Sequence, residues 1–260
     1  MSCLPEELRF LAPIQLDDMV RIGRRRDGGY VLPARALEPI DTILSFGVCD
    51  DWSFEQALLA RRPGLPVHCY DHTVGEQVFL ADLAAASSKI STWGRVPKRL
   101  ETCLSYNSFF RGDRVHFPQR VIDRAESAQD ATIAQIFERA GAASNVLVKM
   151  DIEGGEYAVI PDLLNVADRI TAMVVEFHDT TSDREAFVSS VKHLKQAFEL
   201  VHIHANNYRG VAADGLPEVL EITFLNRRLC CETAVRDRLP VAGLDFPNNP
   251  RTRDWSLAFP

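Results

Sequence analysis

The densest concentration of reactive side chains in this chain is Lys149-Met150-Asp151-Ile152-Glu153-Gly154-Gly155-Glu156, with three carboxylates inside six positions. Asp151 directly follows an apolar run, so it stands at a strand edge and points into a crevice, where loss of water demands a compensating charge, metal or hydrogen bond. Glu153 and Glu156 fall where a helix begins, and the positive end of the helix dipole accounts for one of the two. Two further segments bring imidazoles. In Val175-Glu176-Phe177-His178-Asp179, Glu176 and His178 are two apart and share one strand face; His204 and Asn206 do the same in His202-Ile203-His204-Ala205-Asn206-Asn207. Carboxylates beside imidazoles support two chemistries. A neutral imidazole removes a proton near neutral pH, and hard oxygen ligands hold a divalent cation that acidifies a bound hydroxyl.

Residues so far apart in sequence need a frame that gathers strand ends. From Thr42 onward, apolar β-rich runs alternate with helix-like stretches, the rhythm of an α/β protein with a mostly parallel sheet and helices on both faces. Buried strands are expected at Thr42–Phe46, Val67–Tyr70, roughly Arg114–Phe117, Asn145–Met150 and Ala172–Phe177, each rich in Val, Ile, Leu or Phe and bounded by turn or polar residues. Helical spacing marks Phe54–Arg62, Glu76–Ser87, Thr132–Ala140, Gly155–Leu164 and Asp183–Phe198, with Asp51 or Ser53 capping the first and Ser182 the last. Then the rhythm changes. Leu200–His204 and Val219–Asn226 are strands with no helix between them, joined by a loop holding Gly210, Gly215 and Pro217, and are expected to pair antiparallel at one end of the sheet. A short helix at Glu6–Leu11 and a hairpin around Asp27-Gly28-Gly29 precede this core; Pro240, Pro247, Pro250 and Pro260 imply an irregular tail after it. The expected organisation is therefore an N-terminal extension over 1–41, one domain over 42–238 and a covering tail over 239–260.

In an open parallel α/β sheet, ligands bind beyond the carboxyl ends of the strands. The first such end reads Ser45-Phe46-Gly47-Val48-Cys49-Asp50-Asp51, where Gly47 lets the backbone turn tightly beside a ligand. The second reads Asp71-His72-Thr73, an acid close to where nucleoside-binding folds bond ribose hydroxyls. One glycine is not G-x-G-x-x-G, so the close approach of a pyrophosphate is not provided. A nucleoside without phosphates, such as S-adenosylmethionine (SAM), suits these ends better.

The 260 residues carry 29 Lys+Arg against 36 Asp+Glu, a net charge of −7, and are 46% hydrophobic. That apolar content is ample for a core, and the negative field repels phosphate backbones and anionic membranes, so no nucleic-acid partner is expected. No stretch approaches the roughly 20 apolar residues of a spanning helix, and Met1–Phe10 lacks a basic region followed by an apolar one, so a soluble, unprocessed chain is expected. Cys3, Cys49, Cys69, Cys103, Cys230 and Cys231 show neither C-x-x-C nor metal-ligand spacing, which fits a reducing cytoplasm.

The chain resembles the FkbM-type SAM-dependent methyltransferases. Leu147–Tyr157 (LVKMDIEGGEY) is similar to that family's strand followed by D-x-E-G-x-E. Ile43–Glu55 (ILSFGVCDDWSFE) falls where its first motif lies, and Val67–Thr73 (VHCYDHT) where its ribose-binding acid lies. MVVEFHD, VHIHANN, VLEITFLN, DGGYVLP and LDFPNNP resemble one branch of the family, so the likeness covers nearly the whole chain. It implies a Rossmann-like class I methyltransferase fold, whose seven-stranded sheet fits five α/β strands and an antiparallel pair better than a six-strand dinucleotide domain does. Phe46-Gly47-Val48-Cys49-Asp50 departs from the more glycine-rich form common in relatives, leaving Asp50 or Asp51 to meet the methionine amino group. O-methylation of a sugar, glycan or natural-product hydroxyl is what the resemblance implies, in polysaccharide or natural-product biosynthesis.

On that reading SAM is contacted by Ser45, Gly47, Asp50, Asp51, Asp71, His72 and Asp151. In-line methyl transfer requires removal of the acceptor proton, for which His178 is the first choice of base and His204 the second, with Asp151 and Glu176 as further catalytic residues. A magnesium ion held by Asp151, Glu176 and His178 is the less favoured alternative, because a metal needs several groups to converge while a base needs one. Tyr30, Arg24, Glu153 and Asn206 are the acceptor contacts. The basic run Arg21, Arg24, Arg25 and Arg26 reads as a solvated hairpin surface or as a clamp for an anionic acceptor. Tyr30 reads as a lid over the cofactor or as core; Trp52, Trp93 and Trp255 read as packing. The rival readings are an NAD(P)-dependent sugar oxidoreductase or epimerase, disfavoured by the missing glycines and the lack of a Tyr-x-x-x-Lys pair, and a SAM-binding module without catalysis. A homodimer is left open, as is the identity of the small-molecule or glycan acceptor.

Overall fold

The apolar runs fold as one seven-stranded sheet flanked by helices in a computed structural model that describes residues 3–88 and 94–260. Trp93 lies outside the described residues. An antiparallel hairpin, β1 (Met19–Gly23) and β2 (Gly29–Pro33), and the one-turn α1 (Ala34–Leu37) precede the core. Then come β3 (Thr42–Phe46), α2 (Ser53–Arg61), β4 (Val67–Tyr70), α3 (Glu76–Ser88), α4 (Val96–Phe109) and β5 (Arg114–Phe117). The short parallel pair β6 (Arg120–Val121) and β7 (Asp130–Ala131) leads into α5 (Ile133–Arg139), β8 (Val146–Met150), α6 (Glu156–Leu164), β9 (Ile170–Phe177) and α7 (Arg184–Leu194). The chain finishes with β10 (Phe198–Ala205), β11 (Leu220–Asn226) and a small antiparallel pair, β12 (Arg238–Leu239) and β13 (Leu257–Ala258).

The sheet order is β10-β11-β9-β8-β3-β4-β5. β8 and β4 flank β3 in parallel, and β11 pairs antiparallel with both β9 and β10. This is the Rossmann-like class I methyltransferase arrangement expected from the sequence. The order reverses at β3: the chain moves out to β5, then returns to β8 on the other side. A crevice opens at such a reversal because the two connecting segments leave in opposite directions.

β3, β8, β9 and β11 are buried along their whole length, as strands covered on both faces must be. Alternation divides the core. Leu44, Phe46, Val148, Met150, Val175 and Phe177 pack with α5, α6 and α7, whereas Ile43, Val67, Cys69, Leu147 and Val174 pack with the hairpin and α2. The N-terminal Leu8 and Leu11 and the C-terminal Leu239, Leu257 and Phe259 join the first of these clusters.

Three local expectations change. The helix expected over Asp183–Phe198 stops at Leu194, and Phe198 opens β10, because its ring is wholly buried in the sheet core. Helix α4 has no counterpart in the sequence reading; Leu100 and Leu104 are exposed, so its apolar residues do not describe the face it buries. Ser182 does not cap α7, since its hydroxyl donates to the Asp179 carbonyl, but Asp51 serves α2 by accepting from the Ser53 amide at 2.9 Å. Thr132 and Gln135 form a reciprocal capping box on α5.

Candidate active site

A cleft of about 570 Å³ lies at the carboxyl ends of β3, β4 and β8. Its lining mixes apolar groups (Tyr70, Val121, Ile122, Ile152) with Asp71, His72, Thr73, Asp123, Asp151 and Glu153. Gly47 stands in this wall with φ +72°, and a Cβ there would overlap the Asp151 carbonyl oxygen. What requires glycine is therefore the close passage of the β8 end, whose Asp151 amide also donates to the Phe46 carbonyl at 2.9 Å. Asp71 knits the next junction. One carboxylate oxygen accepts from the Val48 and Cys49 amides at 3.0 and 2.8 Å, and the other from the Thr73 amide and hydroxyl at 2.8 and 2.6 Å. Burial raises its pKa, but these bonds outweigh it and hold the group below its ordinary value.

Lys149, inside the apolar β8, is buried beside Gly47 and Asp151, which line the cleft. Its ammonium donates to the Gly47 carbonyl and to Asp151 Oδ2 at 3.4 Å, and sits 6.0 Å from the centre of the Tyr30 ring. Burial acts against its charge, but Asp151, Glu55 and Glu176 outweigh burial and raise its pKa. Tyr30 is thus core, edge-on to Phe54 at 5.3 Å, and not a lid. Ser45 is wholly buried and donates to Glu55, so it holds α2 to the sheet instead of facing the cleft.

His178, at the end of β9, is surrounded by acids. Nδ1 lies 3.1 Å from Glu156 Oε1, and Nε2 lies 3.6, 3.7 and 3.9 Å from Glu153, Glu176 and Asp151. Glu156, fully buried at the start of α6, also accepts from the Ile152 and Gly154 amides. A carboxylate oxygen accepts, so Nδ1 carries the hydrogen and donates, leaving Nε2 free to take a proton. The neighbouring Tyr157 hydroxyl donates to the His178 carbonyl. Glu156 and Tyr157 thus fix both the ring and the backbone of a residue on another strand. Burial lowers the His178 pKa, but the Glu156 bond and the Glu156, Asp151 and Glu153 charges prevail and raise it.

His204 is held differently. Nδ1 and Nε2 donate to Glu221 and Asp254, both at 3.2 Å. Burial opposes protonation, yet the two acids lift its pKa to about 10. A ring that stays charged at neutral pH is a counter-ion and not a base, which removes the second choice. Asn206 donates to Glu176 Oε1 at 3.0 Å, and is directed at that carboxylate. Burial, followed by the charges of Asp151, Glu221 and Asp27, pushes the Glu176 pKa well up.

The structure separates some residues expected together. Asp50, Asp51 and Arg24 line a different cavity of about 190 Å³, where Arg24 pairs with Asp51 at 2.9 Å. Arg21 is a pin, donating to the carbonyls of Arg24, Arg26 and Leu244. The ligand atoms that group with Asp151 and His178 come from Glu153, within 4.8 Å, whereas Glu176 groups with Asp27 and Glu221. Among the described residues, the non-glycine residues with positive φ are Cys49, Glu153 and Asp179, one after each of β3, β8 and β9. Each left-handed residue costs on the order of 1–3 kcal/mol, and strain of this kind gathers where loops are shaped for a ligand.

A polar pocket of about 240 Å³ adjoins the cleft, with Glu153 lining both; His178, Asp179, Arg209, Glu218 and Val219 complete it. Arg209, Glu218, Glu156 and Lys149 were not read from sequence as site residues. A lysine inside an apolar strand run is a legible signal, because a buried ammonium needs acceptors. Glu156 meeting His178 across 22 positions leaves no local trace.

A sequence model of the methyltransferase FkbM domain matches residues 75–209, a stretch that includes Asp151, Glu156, His178 and His204. The chain is similar in structure to a candidate methyltransferase from Thermoplasma acidophilum, at 12% identity over 72% of this chain and 68% of that one, with a TM-score of 0.33. It is similar to the precorrin-6y C5,15-methyltransferase from Geobacter metallireducens GS-15 (10% identity, 74% and 85% covered, TM-score 0.32). A third likeness is to a candidate RNA methyltransferase from Pyrococcus horikoshii (12% identity, 75% and 86% covered, TM-score 0.35). No curated protein matches.

Proposed function

The chain belongs to the FkbM methyltransferase family, and we propose that it moves a methyl group from SAM to a hydroxyl of a sugar, glycan or natural-product acceptor, with His178 as the base. The observation that carries this reading is the His178 ring, whose Nδ1 is committed to Glu156 while Nε2 faces Asp151 and Glu153 at the rim of the cleft. The residues present suit the cofactor. The cleft has the size usual for a small-molecule site, is mostly apolar with a few acids, and lacks a glycine-and-cation cradle for phosphates, since its Arg120 is paired with Asp130 at 3.0 Å.

Gly47, Cys49, His72 and Thr73 would hold the ribose and methionine portions, and Ile122 and Asp123 the base. Asp71 orients that wall by joining its two loops. When bound, SAM supplies an electrophilic methyl group. His178 Nε2 receives the hydroxyl proton, and Glu156 stabilises the imidazolium that results, which keeps the proton away from the acceptor oxygen. Arg209 and Glu218 offer donors and acceptors to hydroxyls of an acceptor in the adjoining pocket.

Isothermal titration with SAM and with NAD⁺ tests the cofactor. Ala158 is an exposed α6 residue lining the cleft, so Ala158→Trp fills the cleft without disturbing the core. SAM binding to the parent chain and none to Ala158→Trp is expected. NAD⁺ binding without SAM binding would refute the reading. A screen of hydroxyl-bearing acceptors with radiolabelled methyl then identifies the class, and turnover confined to amine or thiol acceptors would refute O-methylation.

A further inference from the structure

Glu176 and Glu221 are direct partners in the β9–β11 ladder, so their side chains share one face, and both are buried. Like charges in opposed positions repel. Asp27, from the turn between β1 and β2, adds a third acid: one oxygen from each of the three lies within 4.8 Å of the others. Two neighbouring cations are already committed, and His178 Nε2, at 3.7 Å from Glu176 Oε1, is too far away to hydrogen-bond it. His204 lies between Glu221 and Asp254, and Lys149 between the Gly47 carbonyl and Asp151. Amide donors meet only part of the need: Asn206 donates to Glu176 Oε1 at 3.0 Å and Asn248 to Glu221 Oε1 at 2.6 Å. Glu176, only 6% exposed, keeps Oε2 shut away from water with no hydrogen-bond partner. Asn248 Oδ1 is equally buried and unpartnered, although its amide nitrogen touches both Asp27 and Glu221. Buried carboxylates with an orphaned oxygen are costly unless a positive group joins them.

We propose that Asp27, Glu176 and Glu221 form a divalent-cation site that adjoins the Asp151–Glu153–His178 group but shares no ligand with it; Asn248, whose amide nitrogen faces Asp27 and Glu221, would add an amide oxygen once its amide turns end for end. Carboxylate and amide oxygens, without thiolate or imidazole, select a hard cation: Mg²⁺, Ca²⁺ or Mn²⁺. The three oxygens are close enough to share one cation, since oxygens on opposite sides of a cation at about 2.4 Å are about 4.8 Å apart and no pair here is further apart than that. The ligands come from the hairpin turn, β9 and β11, and Asn248 from the C-terminal tail, so the ion would fasten the hairpin and tail to the sheet end beside His178. This site does not depend on the methyl-transfer reading.

The test uses the full chain, stripped with a chelator, dialysed and titrated with Mn²⁺. The paramagnetic resonance of free Mn²⁺ reports binding, Mg²⁺ and Ca²⁺ compete, and thermal unfolding is followed in parallel. A single Mn²⁺ per chain is expected, with a raised Tm. Asp27→Asn and Glu221→Gln should each abolish binding, Asn248→Ala should weaken it roughly 10- to 100-fold, and Asp151→Asn should leave it in place. Should Glu221→Gln not fold, Asp27→Asn, on an exposed turn, still decides the matter. Absence of Mn²⁺ binding, binding that survives Asp27→Asn, or binding lost only in Asp151→Asn would each overturn the proposal.

Discussion

His178 and Glu156 show how much a single side chain owes to its neighbours. The histidine was legible from sequence because it follows Glu176 by two positions at a strand end, and strand alternation alone puts the pair on one face. The carboxylate that orients it was read only as one of two first-turn acids, since nothing within α6 shows that Glu156 turns inward to another strand. Their roles separate kinetically. His178→Ala should lower kcat by about 10²- to 10⁴-fold, the usual loss of a general base, with SAM affinity retained. Glu156→Gln keeps the volume and one acceptor for the Ile152 and Gly154 amides but removes the charge opposite the imidazolium. Steady-state kinetics should show a smaller fall in kcat with little change in the acceptor KM; a raised KM with unchanged kcat would make Glu156 a structural residue only. His204 and Asp51 were equally legible as polar groups at strand ends, yet each is neutralised by a partner distant in sequence, Asp254 and Arg24.

At the scale of elements, the strand–turn–helix junctions after β3, β8 and β9 shape the cleft. The β3 junction depends on Gly47 for two separable reasons, a left-handed φ and the Asp151 carbonyl lying where a Cβ would be. Gly141 has a similar φ of +65° with open space around it. Gly141→Ala should therefore cost only the conformational strain, about 1 kcal/mol. Gly47→Ala must also push β8 away from β3, and urea unfolding should show a loss several times larger, with SAM binding abolished. Equal losses would mean that the close passage is unimportant. The existence of β3, β4, β8 and β9 was evident from continuous apolar runs bounded by polar residues, whereas α4 was not, because its exposed Leu100 and Leu104 obscure the face it buries.

Across the whole molecule, the N-terminal and C-terminal segments are joined over the core. Arg35, from α1, pairs with Asp18 at 3.0 Å and with Glu232 at 2.6 Å. The bond from Arg35 holds the Glu232 pKa down at about 2. A carboxyl depressed in the folded state contributes stability above its unfolded pKa, near 4.3, and loses it as pH falls toward 2. Parent and Glu232→Gln should accordingly differ in Tm at pH 7, and that gap should close between pH 4.5 and pH 2. The effect is small, under about 1 kcal/mol for a partly exposed pair. A gap independent of pH would show that the substitution acts through packing and not through the charge.

The apolar runs and their alternation were sufficient to specify the parallel sheet, its antiparallel end and the polar character of five strand ends, because burial on two faces imposes a pattern that each segment carries locally. The strand order, the Glu156–His178 pairing, the isolation of Asp50 and Asp51 from the cleft, and the meeting of Asp27 with Glu176 and Glu221 were settled only when the strands stacked. Those contacts join residues tens to nearly two hundred positions apart, and no local periodicity records which polar groups will face one another once water has been excluded from between them.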